Sequence, residues 1–438
     1  MNKDIKDVIN SDVLVIGGGT AGFGAAVAAA RQGLNVYLME ATDKLGGVMA
    51  KCPGMPIADA YPKDKPMGGI LEEYLNRLYN MDPPAAEKRK CYEAGYGPEV
   101  HYDCALAQLT LFQMLEEAGV NLILNTTAIE PIMDENKVKG VIYYNKTGEH
   151  NIFSKILIDC SGDGDITAKA GVPFEMGEEI NGHMMAVALT FYLSNVDKDR
   201  IPDSDDPYHR KIAEKGIKSG RLHKDFHGIY WMPGLHVNSL FFNAVNILNI
   251  DGTKPQEVTK ATIKAMKVAH QLVSFLKEEI PGFENAYIES MGSRVGVRET
   301  RRFEGMYKIT ADDLFIGKKF SDGILCSDAA VDDVARGSYA ASKTISLIDK
   351  GVCYQIPYRC LVPKKIENLL FAGRLISADS VAMASTRSMA MCMGMGHACG
   401  VAADLAIKNN KFVQDIDFDE LIKKLQEQGV HGLAGEKL

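Results

Sequence analysis

Residues 11–40 read SDVLVIGGGTAGFGAAVAAARQGLNVYLME, and this stretch decides the fold. Asp12 to Ile16 is a short run rich in β-branched side chains, as a parallel strand buried on both faces requires. Gly17, Gly19 and Gly22 follow at the G-x-G-x-x-G spacing. The first turns the chain, the second lets the backbone approach a pyrophosphate, and the third lets helix and strand pack closely. Thr20 and Ala21 open the next segment, and Ala21 to Gln32 reads as an alanine-dense helix whose free N–H groups and positive dipole end face the phosphates. Leu34 to Met39 is a second strand. It ends on Glu40, 18 residues after Gly22, where a carboxylate accepts ribose hydroxyls and repels a 2′-phosphate.

The residues just beyond choose the dinucleotide. Ala41 leads into Lys44, Leu45, Gly46, Gly47 and Val48, a run that resembles the (R/K)-x-G-G element flavoproteins carry after their second strand. An extended FAD must pass this loop, whereas a nicotinamide dehydrogenase has no reason for a second glycine pair there. FAD is the expected ligand.

At 438 residues the chain exceeds the size at which one core keeps growing, so more than one structural domain is expected. The formal charge of -8 offers no basic face to phosphates and argues against a nucleic-acid partner. The polar start and the lack of a run of about 18 apolar residues argue against a membrane, and a cytoplasmic location is the expectation. Nine cysteines are scattered without metal spacing, so no metal site is expected. Cys52 falls five residues after Gly47, near where two-domain disulfide reductases carry a first redox cysteine, but the second member of that pair is missing.

Further along, the prolines of residues 50–100 mark an insertion near the flavin, in which only Gly69 to Tyr79 reads as an amphipathic helix. Asp103 to Ala118 reads as another helix, Val120 to Asn125 as a strand, and Thr126 to Ala128 as a place where backbone meets adenine. The strand Ile152 to Asp159 runs into CSGDGD, where Ser161, Gly162, Asp163 and Gly164 resemble the (A/T)-G-D-G element that passes beneath the diphosphate. After Gly171 longer strand-like runs dominate, notably Met185 to Leu193 and Leu240 to Leu248, with a helix over Lys260 to Glu279. These divide the chain into a discontinuous FAD-binding domain, 1–175 and 355–438, and a cap or substrate domain, 176–354, built on an antiparallel sheet. The fold class is α/β, with a Rossmann-like, glutathione-reductase-like FAD-binding domain and an α+β second domain.

Ser293 to Glu304 reads SRVGVRETRRFE, an arginine cluster in an acidic chain. Arg298 and Arg302 are candidates to clamp an anionic substrate through bidentate hydrogen bonds, with Glu299 orienting them or carrying a proton. Near the C-terminus, the strand Asn368 to Ala372 leads into Gly373 and Arg374 beside the cofactor. After a loop, a long apolar helix runs from Arg387 to Lys408. Arg387, Ser388 and Met389 would aim its N-terminus at the flavin and stabilise negative charge on the reduced ring.

Together IGGGTAG, KLGGV, IDCSGDGD, AGVPFE, PGFENA, VGVRETRRFEG, IPYRCLVP and NLLFAGRLIS with STRSMAMCMGMGHACGVAA resemble a broad family of bacterial FAD-dependent oxidoreductases. The resemblance implies noncovalent FAD and active-site use of the R-E-T-R segment, and names no substrate. Ser327 to Ala341 departs from relatives that carry an acid and a histidine there. The expected function is hydride transfer between flavin N5 and a small, anionic molecule, as a dehydrogenase or a C=C reductase. Electrons would come from NAD(P)H, a protein carrier or the substrate itself, and a homo-oligomer is compatible with this reading. The rivals are a flavin-dependent RNA-modifying or biosynthetic enzyme and a non-catalytic electron-transfer subunit.

Overall fold

A computed structural model describes residues 9–436 apart from 94, 224, 225 and 227. The opening stretch folds as strand β1 (Ile9–Ile16), helix α1 (Thr20–Arg31) and strand β2 (Val36–Met39). β1 lies parallel to β2 on one side and to Gly148–Asp159 on the other, which accounts for its unbroken apolar run. They belong to a seven-stranded sheet in the order Asn121–Ile123, β2, β1, Gly148–Asp159, Lys137–Asn145, Thr127–Asp134, with Leu369–Phe371 pairing parallel onto Gly148–Asp159. The pairings of Lys137–Asn145 to its two neighbours are antiparallel.

Helix α1 is pressed between this sheet and the closing helix Met389–Lys408 by contacts that only glycine permits. A Cβ at Gly396 would fall 1.8 Å from the carbonyl oxygen of Ala21, and one at Gly24 would fall 2.4 Å from that of Met393. By length and composition the closing helix could cross a membrane, but it is largely buried inside the protein. The sequence had not shown it as such a run because small residues and one histidine dilute its four methionines and single valine.

That closing segment also differs from expectation at its start. Ser380–Thr386 is a separate helix capped by Asp379, and a new helix begins at Met389 with Ser388 as its cap. Each cap side chain accepts from a backbone N–H of the first turn, so the break at Arg387 is built into the sequence.

A second sheet, Trp231–Pro233, Leu240–Ile247, Val187–Ser194 and Tyr287–Met291, is antiparallel throughout. Its own core joins it to the helix Pro255–Glu279, with Phe191 stacked on Phe242 at 4.8 Å between ring centroids. Residues around Ile309 and Leu325 instead pack into the same core as α1.

Candidate active site

The glycine turn explains itself by what a side chain would meet. Gly17 has φ +94°, and its Cβ would lie 2.6 Å from the Cys160 carbonyl oxygen, while a Cβ at Gly22 would lie 1.8 Å from that of Gly17. Gly19 is different. Its φ of -67° and ψ of -177° suit any residue, and its Cβ would meet nothing nearer than the Cα of Gly47, at 3.9 Å. Neither backbone conformation nor protein packing requires glycine there. The gap in front of it suits a ligand that approaches the main chain. α1 begins at this gap with no capping side chain and no acid in its first turn, so its first N–H groups and its dipole are free for an anion. The loop carrying Gly46 is tied alongside by its N–H, which donates to the Gly18 carbonyl at 2.7 Å.

From this turn a cavity of about 1060 Å³ extends through the molecule. Gly17, Gly19, Thr20, Ala21, Glu40, Gly46, Gly47 and Val48 line one end, followed by Ser161, Gly162, Gly373, Arg374 and Arg387 to Met389. Arg298, Asn246, Glu93, Tyr96, Tyr208 and Tyr230 also line it, together with apolar side chains such as Phe226, Phe241 and Val245. The volume is of the size that holds a cofactor together with a small substrate.

The polar atoms facing this space fit a dinucleotide. Arg374 donates to Asp163 Oδ1 at 3.0 Å through Nη2, yet its buried Nη1 has no partner among the described residues, and neither does Nε of Arg294 or of Arg387. Buried donors left open in this way call for an acceptor. Burial, with Arg294 and Arg374 nearby, pushes the Lys51 ammonium below its usual pKa against the pull of Glu40, a stress that a diphosphate would relieve. Glu40 is held by the Gly18 N–H at 2.7 Å on Oε2 and by Thr42 N and Oγ1 at 2.9 and 2.7 Å on Oε1. Oε1 is thereby filled, and Oε2 keeps room for one hydroxyl donor, one fewer than the pair expected from the sequence.

Several expected site residues lie off the cavity. Gly22 packs against Gly17, Ala41 and Lys44 are exposed, and Ala128 is a half-buried strand residue outside the lining. Asp163 supports the lining from behind, accepting from Arg374 and from Thr300 Oγ1, both at 3.0 Å. From this loop the lysine that lines the cavity is Lys51, at the end of the short helix Val48–Lys51, and not Lys44.

The arginine cluster divides. Arg298 faces the cavity, its Nη1 donating to the Ala186 carbonyl and to Asn246 Oδ1 at 3.2 Å. Burial and the like charge of Arg387 lower its pKa to about 10, which still leaves it a cation. Glu299 and Arg302 do not line the cavity. Their side chains are 0% and 1% exposed and lie 3.6 Å apart. Glu299 also accepts from the Met185 N–H at 2.6 Å and pairs with Arg336, while Arg302 Nε donates to the Ala378 carbonyl at 3.1 Å. Both belong to an internal ion network, in which Arg302 Nη1 still has no hydrogen-bond partner among the described residues, so of the two arginines expected together Arg298 alone lines the cavity, where Arg387 also lies. The Ser327 to Ala341 segment, whose departure from relatives stood out, supplies the network's Arg336.

Sequence reasoning passed over Lys51, Asp59 and Arg294 as site residues. Arg294 carried a signal, since it belongs to the same cluster as Arg298, four residues on. Cys52 also lines the cavity, and burial raises its thiol pKa against the opposing charges of Arg298 and Arg294, which disfavours the thiolate.

The sequence model of the family described as FAD dependent oxidoreductase matches residues 12–427. The digeranylgeranylglycerophospholipid reductase of Sulfolobus acidocaldarius is 30% identical over 162 residues, which span 34% of either protein. Reductase 1 of that name from Methanopyrus kandleri is 29% identical over 247 residues, 52% of this chain and 61% of that one. The chain thus aligns with between one third and two thirds of the length of these relatives. Among solved structures, a geranylgeranyl bacteriochlorophyll reductase-like protein from Thermoplasma acidophilum superposes with a TM-score of 0.52 at 14% identity, covering 97% of this chain and 85% of its own. The myxobacterial chondrochloren halogenase does so at 0.51 and 12% identity, covering 96% and 79%. These likenesses show a shared fold. With a family match that runs from the first strand to the last helix, the chain belongs to the FAD-dependent oxidoreductases.

Proposed function

We propose that this enzyme transfers a hydride between FAD and a small anionic substrate, acting as a dehydrogenase or as a reductase of an activated C=C bond. FAD supplies the hydride chemistry when bound. The protein's share is to hold the two partners and balance charge. The α1 N-terminus, Arg374, Arg294 and Lys51 would bind the diphosphate, and Glu40 a ribose hydroxyl. In this reading residues 176–354 cover the substrate side of the cavity.

The observation that carries the anionic character is that Arg298 and Arg387 face the same cavity, where burial and the like charge of Arg387 lower the pKa of Arg298. An anion between them would relieve that repulsion and gain charge-assisted hydrogen bonds. Arg387 is already braced by Asp332 at 3.0 Å, and Arg298 by Asn246, so both guanidinium groups are oriented before substrate arrives. The relatives named for a lipid substrate favour the reductase direction.

The test is Arg298→Ala. The variant should keep its flavin and lose at least about tenfold in substrate affinity, as expected for one charge-assisted hydrogen bond to an anion. Loss of flavin would place Arg298 at the cofactor, and unchanged kinetics would remove the anion clamp.

A further inference from the structure

Five carboxyl groups line the cavity: Glu40, Asp59, Glu93, Glu99 and Asp332. Four are engaged by protein donors. Glu40 is held by Gly18 and Thr42, Glu93 accepts from the Tyr208 hydroxyl at 2.9 Å, Glu99 contacts His101 Nε2 at 2.7 Å, and Asp332 pairs with Arg387 at 3.0 Å. Asp59 forms no ion pair among the described residues. Its carboxyl takes a hydrogen bond from the Ser388 hydroxyl.

The placement of Asp59 is specific. It lies between the helices Val48–Lys51 and Gly69–Tyr79 with φ +64°, a left-handed conformation that aspartate adopts more readily than most non-glycine residues. Ser388 is the cap of the closing helix, its hydroxyl oxygen accepting the Met391 N–H at 3.4 Å. Asp59 therefore sits on the helix N-terminus that enters the cofactor cavity. The charged groups facing it are Arg387 from that side and Asp328 and Asp332 from the segment following the strand Gly323–Ser327. Burial, Asp328 and Asp332 push its carboxyl up to about 7, against the Ser388 hydrogen bond and Arg387. Negative charge added to a ring in the same cavity would push it higher still.

We propose that Asp59 is the proton-carrying group of this redox site, binding one proton when two electrons enter the bound FAD and releasing it when they leave. The inference rests on the FAD-dependent reading. For oxidation of an H–C–O–H unit the balance is complete. The C–H bonding pair leaves with its nucleus as hydride to the flavin, the O–H proton passes to the Asp59 carboxylate, and the C=O bond forms. In the reducing direction the same proton returns to the product.

The test is the number of protons taken up per two electrons, read from the pH dependence of the bound flavin's midpoint potential against indicator dyes. In the wild-type holoenzyme that number should rise from one to two just above about pH 7 and return to one at higher pH. Asp59→Asn should stay at one across this range with flavin bound, Asp59→Glu should restore the second proton, and Asp328→Asn, which removes a like charge, should move the window to lower pH. A single proton throughout in the wild type, or two in Asp59→Asn, overturns the inference. Wild-type protein that binds no FAD would instead overturn the functional reading beneath it.

Discussion

Replacing Gly19 with alanine separates what the ligand needs from what the fold needs. Gly19 has an ordinary backbone conformation and an open space of 3.9 Å before the nearest protein atom. A methyl group fits the empty protein there without strain. Gly→Ala at a compatible position stabilises by roughly 0.4–1 kcal/mol through the unfolded chain, and the preference for glycine over alanine at the N-cap that Gly19 occupies offsets a similar amount, so the thermal midpoint of the flavin-free variant should stay close to that of the wild type. The same methyl occupies the gap at the start of α1 and holds a phosphate away from the first-turn N–H groups. Hydrogen bonds to a charged group are worth about 1.5–3 kcal/mol each. Losing one or two of them raises the dissociation constant for FAD by roughly tenfold to ten-thousandfold. The assay is quenching of FAD fluorescence on titration with apoprotein, beside a melting curve of the same apoprotein. Gly22→Ala is the contrasting control, since its Cβ would lie 1.8 Å from the Gly17 oxygen and should lower the melting point of the apoprotein as well. An alanine variant at Gly19 that binds FAD as tightly as the wild type, or that unfolds as readily as the Gly22 variant, would refute the reasoning.

Two further outcomes follow from buried charge. Arg336→Ala strips a partner from Glu299, whose side chain is 0% exposed; breaking a buried pair costs about 3–5 kcal/mol, so urea unfolding should show a loss near about 3 kcal/mol because Arg302 and the Met185 N–H remain. Adding Glu299→Gln should recover part of that loss, and strict additivity of the two changes would contradict the network. His397, bonded to Gln428 at 2.6 Å, has its pKa lowered to about 4 by burial. The unfolded chain binds a proton near the ordinary value of 6.5 while the folded protein does not, so this contribution is complete above pH 6.5 and is lost as pH falls from there toward 4, by up to about 3 kcal/mol. His397→Gln should flatten that part of the stability profile, and an unchanged slope would count against it.

The cofactor half of the site was legible because its requirements are local. A strand, three glycines, a helix start and an acid at fixed spacing are set by the phosphate they serve, and Gly17, Gly19 and Glu40 stand where that spacing puts them. The substrate half was not, because its groups meet only through tertiary folding. Arg298 and Arg302 are four residues apart and chemically identical, yet one opens on a cavity and the other is sealed by Glu299 and by acids such as Glu179, more than a hundred positions distant. Lys51 and Asp59 come from a proline-broken stretch with no periodicity to place them. The start of the closing helix was read within two residues, whereas the short helix Ser380–Thr386 before it, which Asp379 caps, was read as a loop because its seven residues show no helical period.

The most direct test of the central claim is the visible spectrum of the purified protein, followed anaerobically while NADH, NADPH and small carboxylates are added one at a time. The account predicts a flavin band near about 450 nm that is bleached or, after chemical reduction, restored by a small carboxylate. A colourless protein that takes up no added FAD would contradict it.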